Sequence, residues 1–440
     1  MSVTSVPDTL VTETVEFCSR LIRFDTTNFG AGDSRGERAC AEWVAEQLSD
    51  AGYTPLVLES APGRASTVVR ISGADPAAPA LLVHGHLDVV PAAAEDWSVD
   101  PFGGDVRDGA VWGRGALDMK DMDAMMLAVA RSFARDDLVP PRDIVLAFVA
   151  DEEDTGAYGA GFLVREHPDL FTGVRTAIGE SGGHSIHLPD GSRLYAIAAG
   201  ERGSAWMNLV ARGPAGHGSR PNPGNAVAAL AAALTRLSEY RWPVRLTPTV
   251  AALLDGLSVH LGLTVDPADP ASIDRLGEAA ALVRPTVSNS LNPTMLAAGY
   301  KHNVVPSLAT AGVDGRILPG TEEEFFATVD ELLGDRVTRE FVSHSTPVSA
   351  PHDTAEFAAM AAALRAYDPR ALVLPFCMGG GTDAKKFTRL GIQCYGFAPG
   401  STPPGFSYDR YVHGVDERVL VDSLAFGVRV LHRYLSGGIP

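Results

Sequence analysis

The sequence predicts an α/β protein: a mostly parallel sheet with helices on both faces, interrupted by an inserted α+β unit. Three observations carry that expectation. Short apolar or β-branched runs alternate with amphipathic stretches over the first two hundred residues. From about Gly203 the character changes to a strand, an Ala-rich helix and further strands. From Thr321 onward helices and strands alternate again, as if the first unit resumes. The expected division is 1–202 for the first part of the main domain, 203–319 for the inserted domain, and 320–440 for the second part.

Taken in order, Leu10, Val11, Val15, Leu21 and Ile22 mark an amphipathic first helix, and Ala39, Trp43, Val44 and Leu48 a second that stops near Gly52. Residues 54–59, 67–71, 80–84 and 144–150 read as short strands, with a helix over 119–135 before the last of them. In the inserted unit, 205–211 reads as a strand, 225–240 as a helix, and 287–298 and 308–318 as strands. Residues 241–285 mix prolines with helical pieces and are taken as an insertion within that unit.

With 440 residues and 45% hydrophobic content, the chain is long enough for two or three domains with real cores. A formal charge of -18 excludes nucleic acid and anionic membrane as partners, because no dense basic face is available to hold them. The first eight residues lack the charged and apolar regions of a signal peptide, and no apolar run is long enough to span a bilayer, so the expected location is the cytoplasm. Cys18, Cys40, Cys377 and Cys394 are scattered without metal-binding or redox spacing and are expected as reduced thiols.

Two apolar runs end in ligand-type side chains: Leu82-Val83-His84-Gly85-His86-Leu87-Asp88 and Val149-Ala150-Asp151-Glu152-Glu153-Asp154. In an open sheet such strand ends face a crevice. Between and beyond them lie Gly113-Arg114-Gly115-Ala116-Leu117-Asp118, Ile178-Gly179-Glu180 and Tyr411-Val412-His413. Imidazole and carboxylate suit a borderline divalent cation, and two such ions can share a bridging carboxylate. His86 and Glu180 are assigned to one ion, Glu153 and His413 to the other, and Asp118 to the bridge. Asp88 is expected to hold the second imidazole nitrogen of His86. Glu152 is left to face the water: a metal lowers the pKa of bound water to about 7, and a neighbouring carboxylate can take its proton and pass it to a leaving nitrogen. Singly, each has an ordinary explanation, since His-x-Asp makes hydrogen-bonded pairs, Glu-Glu sits in solvated loops and Asp118 could cap a helix. His84, inside the apolar run, is read as structural.

These motifs, in this order and across nearly the whole chain, resemble the dinuclear zinc metallopeptidase and aminohydrolase family of acetylornithine deacetylase, succinyl-diaminopimelate desuccinylase, aminoacylase, carboxypeptidase S and glutamate carboxypeptidase. The resemblance implies a catalytic domain interrupted by a lid or dimerisation domain, and a homodimer. It makes His217, in Ala215-Gly216-His217-Gly218-Ser219, an oxyanion stabiliser offered to the partner's active site. It assigns Asn303, Arg316 and the glycines Gly379, Gly380 and Gly381 to the pocket for the substrate's carboxylate. It also implies a cis peptide bond between Asp118 and Met119. Where many relatives have glycines after the bridging aspartate, this chain has Asp121-Met122-Asp123, which would add negative charge near the site.

The function expected is cleavage of an N-acyl amino acid or short peptide with a free carboxylate, using two divalent ions, zinc foremost, with cobalt and manganese also accepted by such ligands. A strict aminopeptidase is the nearer rival. A non-catalytic metal-containing sensor of acylated amino acids is the rival from another class.

Overall fold

The computed structural model describes residues 8–437. Residues 1–7, on which most of the expectation of no signal peptide rests, lie outside the described residues. Among the described residues no helix is long and apolar enough to cross a membrane.

The larger sheet has ten strands. Its central strand, Ala80–His86, runs parallel to Ile144–Val149 on one side and to Val174–Gly179 on the other, and Gln393–Gly396 continues the parallel order beyond Val174–Gly179. Arg193–Glu201 pairs in parallel with Leu372–Met378. Antiparallel strands complete both flanks: Arg64–Ile71 and Leu56–Ala61 on one, Ser185–His187 on the other. Ala80–His86 and Ile144–Val149 are buried at every position, as a two-sided sheet requires. Alternate side chains enter different cores. Leu81, Val83, Leu146 and Phe148 pack with the long helices Asp8–Ile22, Lys120–Arg135 and Val421–Gly437, whereas Leu82, Val145, Ala147 and Val149 pack with Leu163 and Phe387 from the short helices opposite.

A second, four-stranded sheet is antiparallel throughout, in the order Ser290–Ala298, Leu308–Ile317, Gly203–Arg212, Val337–Ser345. Helices Ala226–Glu239 and Glu322–Leu333 cover it through Leu230, Ala233, Phe325 and Val329. Asn225 caps the first of these helices, its side chain accepting from the amides of Val227 and Ala228.

Two expected boundaries are corrected by this pairing. The inserted unit does not close at residue 319, because Val337–Ser345 pairs along Gly203–Arg212 and the helix before it fills the same core. Alternation of helix and strand says nothing about which sheet a strand joins. Residues 241–285, expected inside the inserted unit, are divided: Leu253 and Leu257 of helix Pro248–Leu261 pack with Leu194 and Phe376 of the larger sheet, whereas Trp242 stacks on Phe325 of the inserted unit.

Candidate metal centre

The parallel strands of the larger sheet end side by side, so the residues at and after their carboxyl ends converge. His86 is the last residue of its strand, and Glu180 directly follows the neighbouring one. His86 Nε2 lies 3.0 Å from Asp118 Oδ1 and 3.2 Å from Glu180 Oε2. His413 Nε2 lies 3.0 Å from the other oxygen, Asp118 Oδ2, and 3.2 Å from Glu153 Oε1. Two groups result, His86–Asp118–Glu180 and Asp118–Glu153–His413, each with its candidate ligand atoms within 4.8 Å of one another. Asp118 belongs to both. The Asp118–Met119 peptide bond is cis.

The donor set fits divalent cations. Burial first, and the Asp118 and Glu153 carboxylates after it, lift the Glu180 carboxyl to about 7 against the pull of His86. Burial, then Glu180, pushes Glu152 well above the usual carboxylate range, and burial raises Glu153. Among the described residues no lysine or arginine pairs with Asp118, Glu153 or Glu180; only the two imidazoles do. Carboxylates crowded in this way, without a side-chain cation, suit a metal.

Asp88 acts differently from the expectation. The Nδ1 of His86 meets the backbone carbonyl of Asp88 at 2.9 Å, while the Asp88 carboxylate stands 3.8 Å away. That carboxylate instead accepts from the amides of Glu152 and Glu153, each at 3.1 Å, and from Asn28 Nδ2 at 2.9 Å. It therefore shapes the turn that presents the paired glutamates. Asp151 turns away from the cluster and binds Arg64 at 2.7 Å; Arg64 in turn binds buried Glu37. Asp121 and Asp123 are lifted well above the carboxylate range, mainly by burial, which opposes the added negative charge expected of them.

Sequence reasoning missed Glu417. It accepts from the amides of Leu117 at 2.8 Å and Asp118 at 3.3 Å and pairs with Arg114, whose Nη2 also donates to the carbonyl of His413 at 3.3 Å. One buried ion pair thus ties the loop of Asp118 to the loop of His413. The signals available were Arg114 inside a noted motif and an acid four residues after His413.

The remaining expected residues lie in two other places. His217 is exposed on a short ribbon in which it pairs with Val304, and Ser219 Oγ sits 2.8 Å from its Nδ1. Asn303 is beside it, its carbonyl accepting from the Gly218 amide at 2.9 Å. Among the described residues no hydrogen bond or ion pair joins either to the cluster around Asp118. Arg316 pairs through Nε and Nη2 with Asp314 on its own strand at 2.8 and 3.0 Å, the salt bridge that sequence alone could not exclude. Gly379, Gly380 and Gly381 form the turn after Leu372–Met378, and Lys385 beyond it donates to the Arg202 carbonyl at 2.7 Å and to Ser345 Oγ at 3.1 Å. A Cβ on Gly381 would meet Lys385 Nζ at 2.2 Å, so a larger residue there would displace the lysine end from its present partners. Arg202, also missed, donates to the carbonyl of Arg316 at 3.0 Å; burial, then the Arg316 charge, lowers its pKa to about 10. Cationic groups thus gather beside the glycine turn.

The family model for peptidase family M20/M25/M40 matches residues 82–437. The chain is 30% identical over 385 residues to the N-fatty-acyl-amino acid synthase/hydrolase of Homo sapiens, covering 83% of this chain and 75% of that protein. It is 27% identical over 405 residues to aminoacylase-1 of Sus scrofa, covering 90% and 89%. Among solved structures, an M20 family metallo-carboxypeptidase from Sulfolobus solfataricus superposes with a TM-score of 0.68 at 18% identity over 98% of this chain and 99% of that one, a likeness of fold.

Proposed function

The chain belongs to peptidase family M20/M25/M40, and from that premise we propose that it is a dinuclear metal-dependent amidohydrolase for N-acyl amino acids or short peptides with a free carboxylate. The observation that carries this reading is Asp118, one oxygen toward each imidazole, between two groups of cation ligands. His86 and Glu180 would hold one ion, Glu153 and His413 the other, with Asp118 shared. Two such ions would polarise the scissile carbonyl and acidify the attacking water.

The protein's own residues supply the rest. Glu152 takes the proton of the attacking water on its carboxylate and delivers it to the leaving nitrogen. Arg316 and the Gly379–Gly381 turn receive the substrate carboxylate, with Asn303 from the lid, which requires Arg316 to exchange its present partner Asp314. His217, contributed by a second copy of the chain, steadies the developing oxyanion. The names of the curated relatives favour an N-acyl substrate over a free peptide amine.

The test is hydrolysis by protein reconstituted with zinc, cobalt or manganese, comparing a dipeptide with its N-acetylated form and with N-acetyl amino acids. The reading expects the acylated compounds to be cleaved, and Glu152→Ala to lower turnover at least 100-fold with fold and metal content retained. Cleavage of the free dipeptide alone would assign a strict aminopeptidase. Tight binding with no turnover would assign a sensor.

A further inference from the structure

We propose that a cavity of about 230 Å³ beside Tyr408 receives one uncharged aromatic or apolar substituent of the substrate, which makes the 241–285 segment a specificity element; this rests on the amidohydrolase reading. The place is set by two connections to the metal centre. Tyr408 donates its hydroxyl to the carbonyl of Leu117 at 2.9 Å, one residue before Asp118. His184, four residues after Glu180, stacks on the Tyr408 ring with centroids 4.3 Å apart and planes 9° from parallel. The inner wall of the cavity is thus built from the chain segments that carry two of the candidate ligands.

The outer wall comes from the segment whose role the sequence left open. Ala281 and Leu282 line the cavity, and their neighbours Ala279, Ala280 and Val283 are buried against the core that holds Leu194 and Phe376. The wall is therefore anchored to the larger sheet and does not depend on the four-stranded unit. Phe406 closes a further side.

The lining selects the occupant. Stacked rings, a phenylalanine and a leucine, in a lining that also holds Ser185 and Ser407, favour a planar, uncharged group. Glu278 on the rim, in a chain of net charge -18, disfavours a second carboxylate there. The volume is below the roughly 300–1,000 Å³ of sites that enclose a whole drug-sized ligand, so the cavity suits one side chain or a short acyl group.

The two possible sources of that group, the amino-acid side chain and the acyl chain, are separated by three substrates: N-acetylalanine, N-acetylphenylalanine and N-benzoylalanine. They are compared on metal-reconstituted wild type and on Ala281→Trp, which fills the cavity from an exposed position. The wild type is expected to prefer one aromatic compound over N-acetylalanine by about tenfold in kcat/KM, and the preferred compound identifies the source. Ala281→Trp should erase that preference through KM and leave kcat for N-acetylalanine unchanged. A preference that survives the substitution, an equal loss on all three compounds, or no aromatic preference in the wild type overturns the proposal. Calorimetric binding of the same compounds keeps the two readings apart. If nothing is turned over, the hydrolase reading fails, while about tenfold weaker aromatic binding by Ala281→Trp still supports the cavity and unchanged binding rejects it.

Discussion

Asp88 has no free oxygen to spare. Fully buried, it accepts three hydrogen bonds, two of them from the consecutive amides that aim Glu152 and Glu153. Asp88→Ala would leave those buried amides unpaired, and Asp88→Asn would keep the shape but turn one acceptor into a donor. Loss of such a supporting contact typically costs about 10 to 100-fold in metal affinity or activity, with alanine worse than asparagine. Metal titration followed by turnover measurements would check this; wild-type affinity in Asp88→Ala would remove the role. The sequence showed that Asp88 belongs near His86 but not how, because its carbonyl and its carboxylate are equally two residues away. Glu417 and Arg114 were harder to see: their pairing across the length of the chain has no spacing to recognise.

Strand ends explain why so much of the site was legible. A buried strand is a short apolar run, and a polar residue where it stops has to face a crevice or a partner, so His86, Glu153 and Glu180 stood out. The four-stranded unit was less legible at its far boundary, because Val337–Ser345 is largely exposed and gives no apolar run to count. The helix Ala160–Glu166 shows how closely elements support the glutamate turn. Gly159, which precedes it, lies against the backbone of Ala150, and a Cβ there would come within 1.6 Å of the Ala150 carbonyl oxygen. Backbone on both sides cannot yield as a flexible side chain would. Gly159→Ala should therefore destabilise by about 2–3 kcal/mol, read as a lower urea midpoint, and should lower turnover by shifting the turn of Glu152. An unchanged midpoint would show that the turn is softer than its packing suggests.

The five candidate ligands come from five separate stretches of the chain between residue 86 and residue 413, so cations bound there would cross-link most of the chain. Ions that bind only the folded state at about 100 times their dissociation constant stabilise it by about 2.7 kcal/mol. Chelation should then lower the thermal midpoint, and added zinc, cobalt or manganese should restore it; a midpoint indifferent to both would argue against the centre. The proposed dimer makes a sharper demand. Within one chain, His217 is exposed on a ribbon, and among the described residues no hydrogen bond or ion pair links it to the cluster around Asp118. If it serves the neighbouring copy, His217→Ala and Glu152→Ala damage different parts of the same composite site. Co-refolding the two inactive variants in equal amounts should then make half the dimers mixed. In each mixed dimer one site combines intact Glu152 with intact His217, so about a quarter of wild-type activity should return. If His217 acts within its own chain, every site in the mixture keeps one defect and no activity returns, an outcome that assigns the oxyanion role in cis.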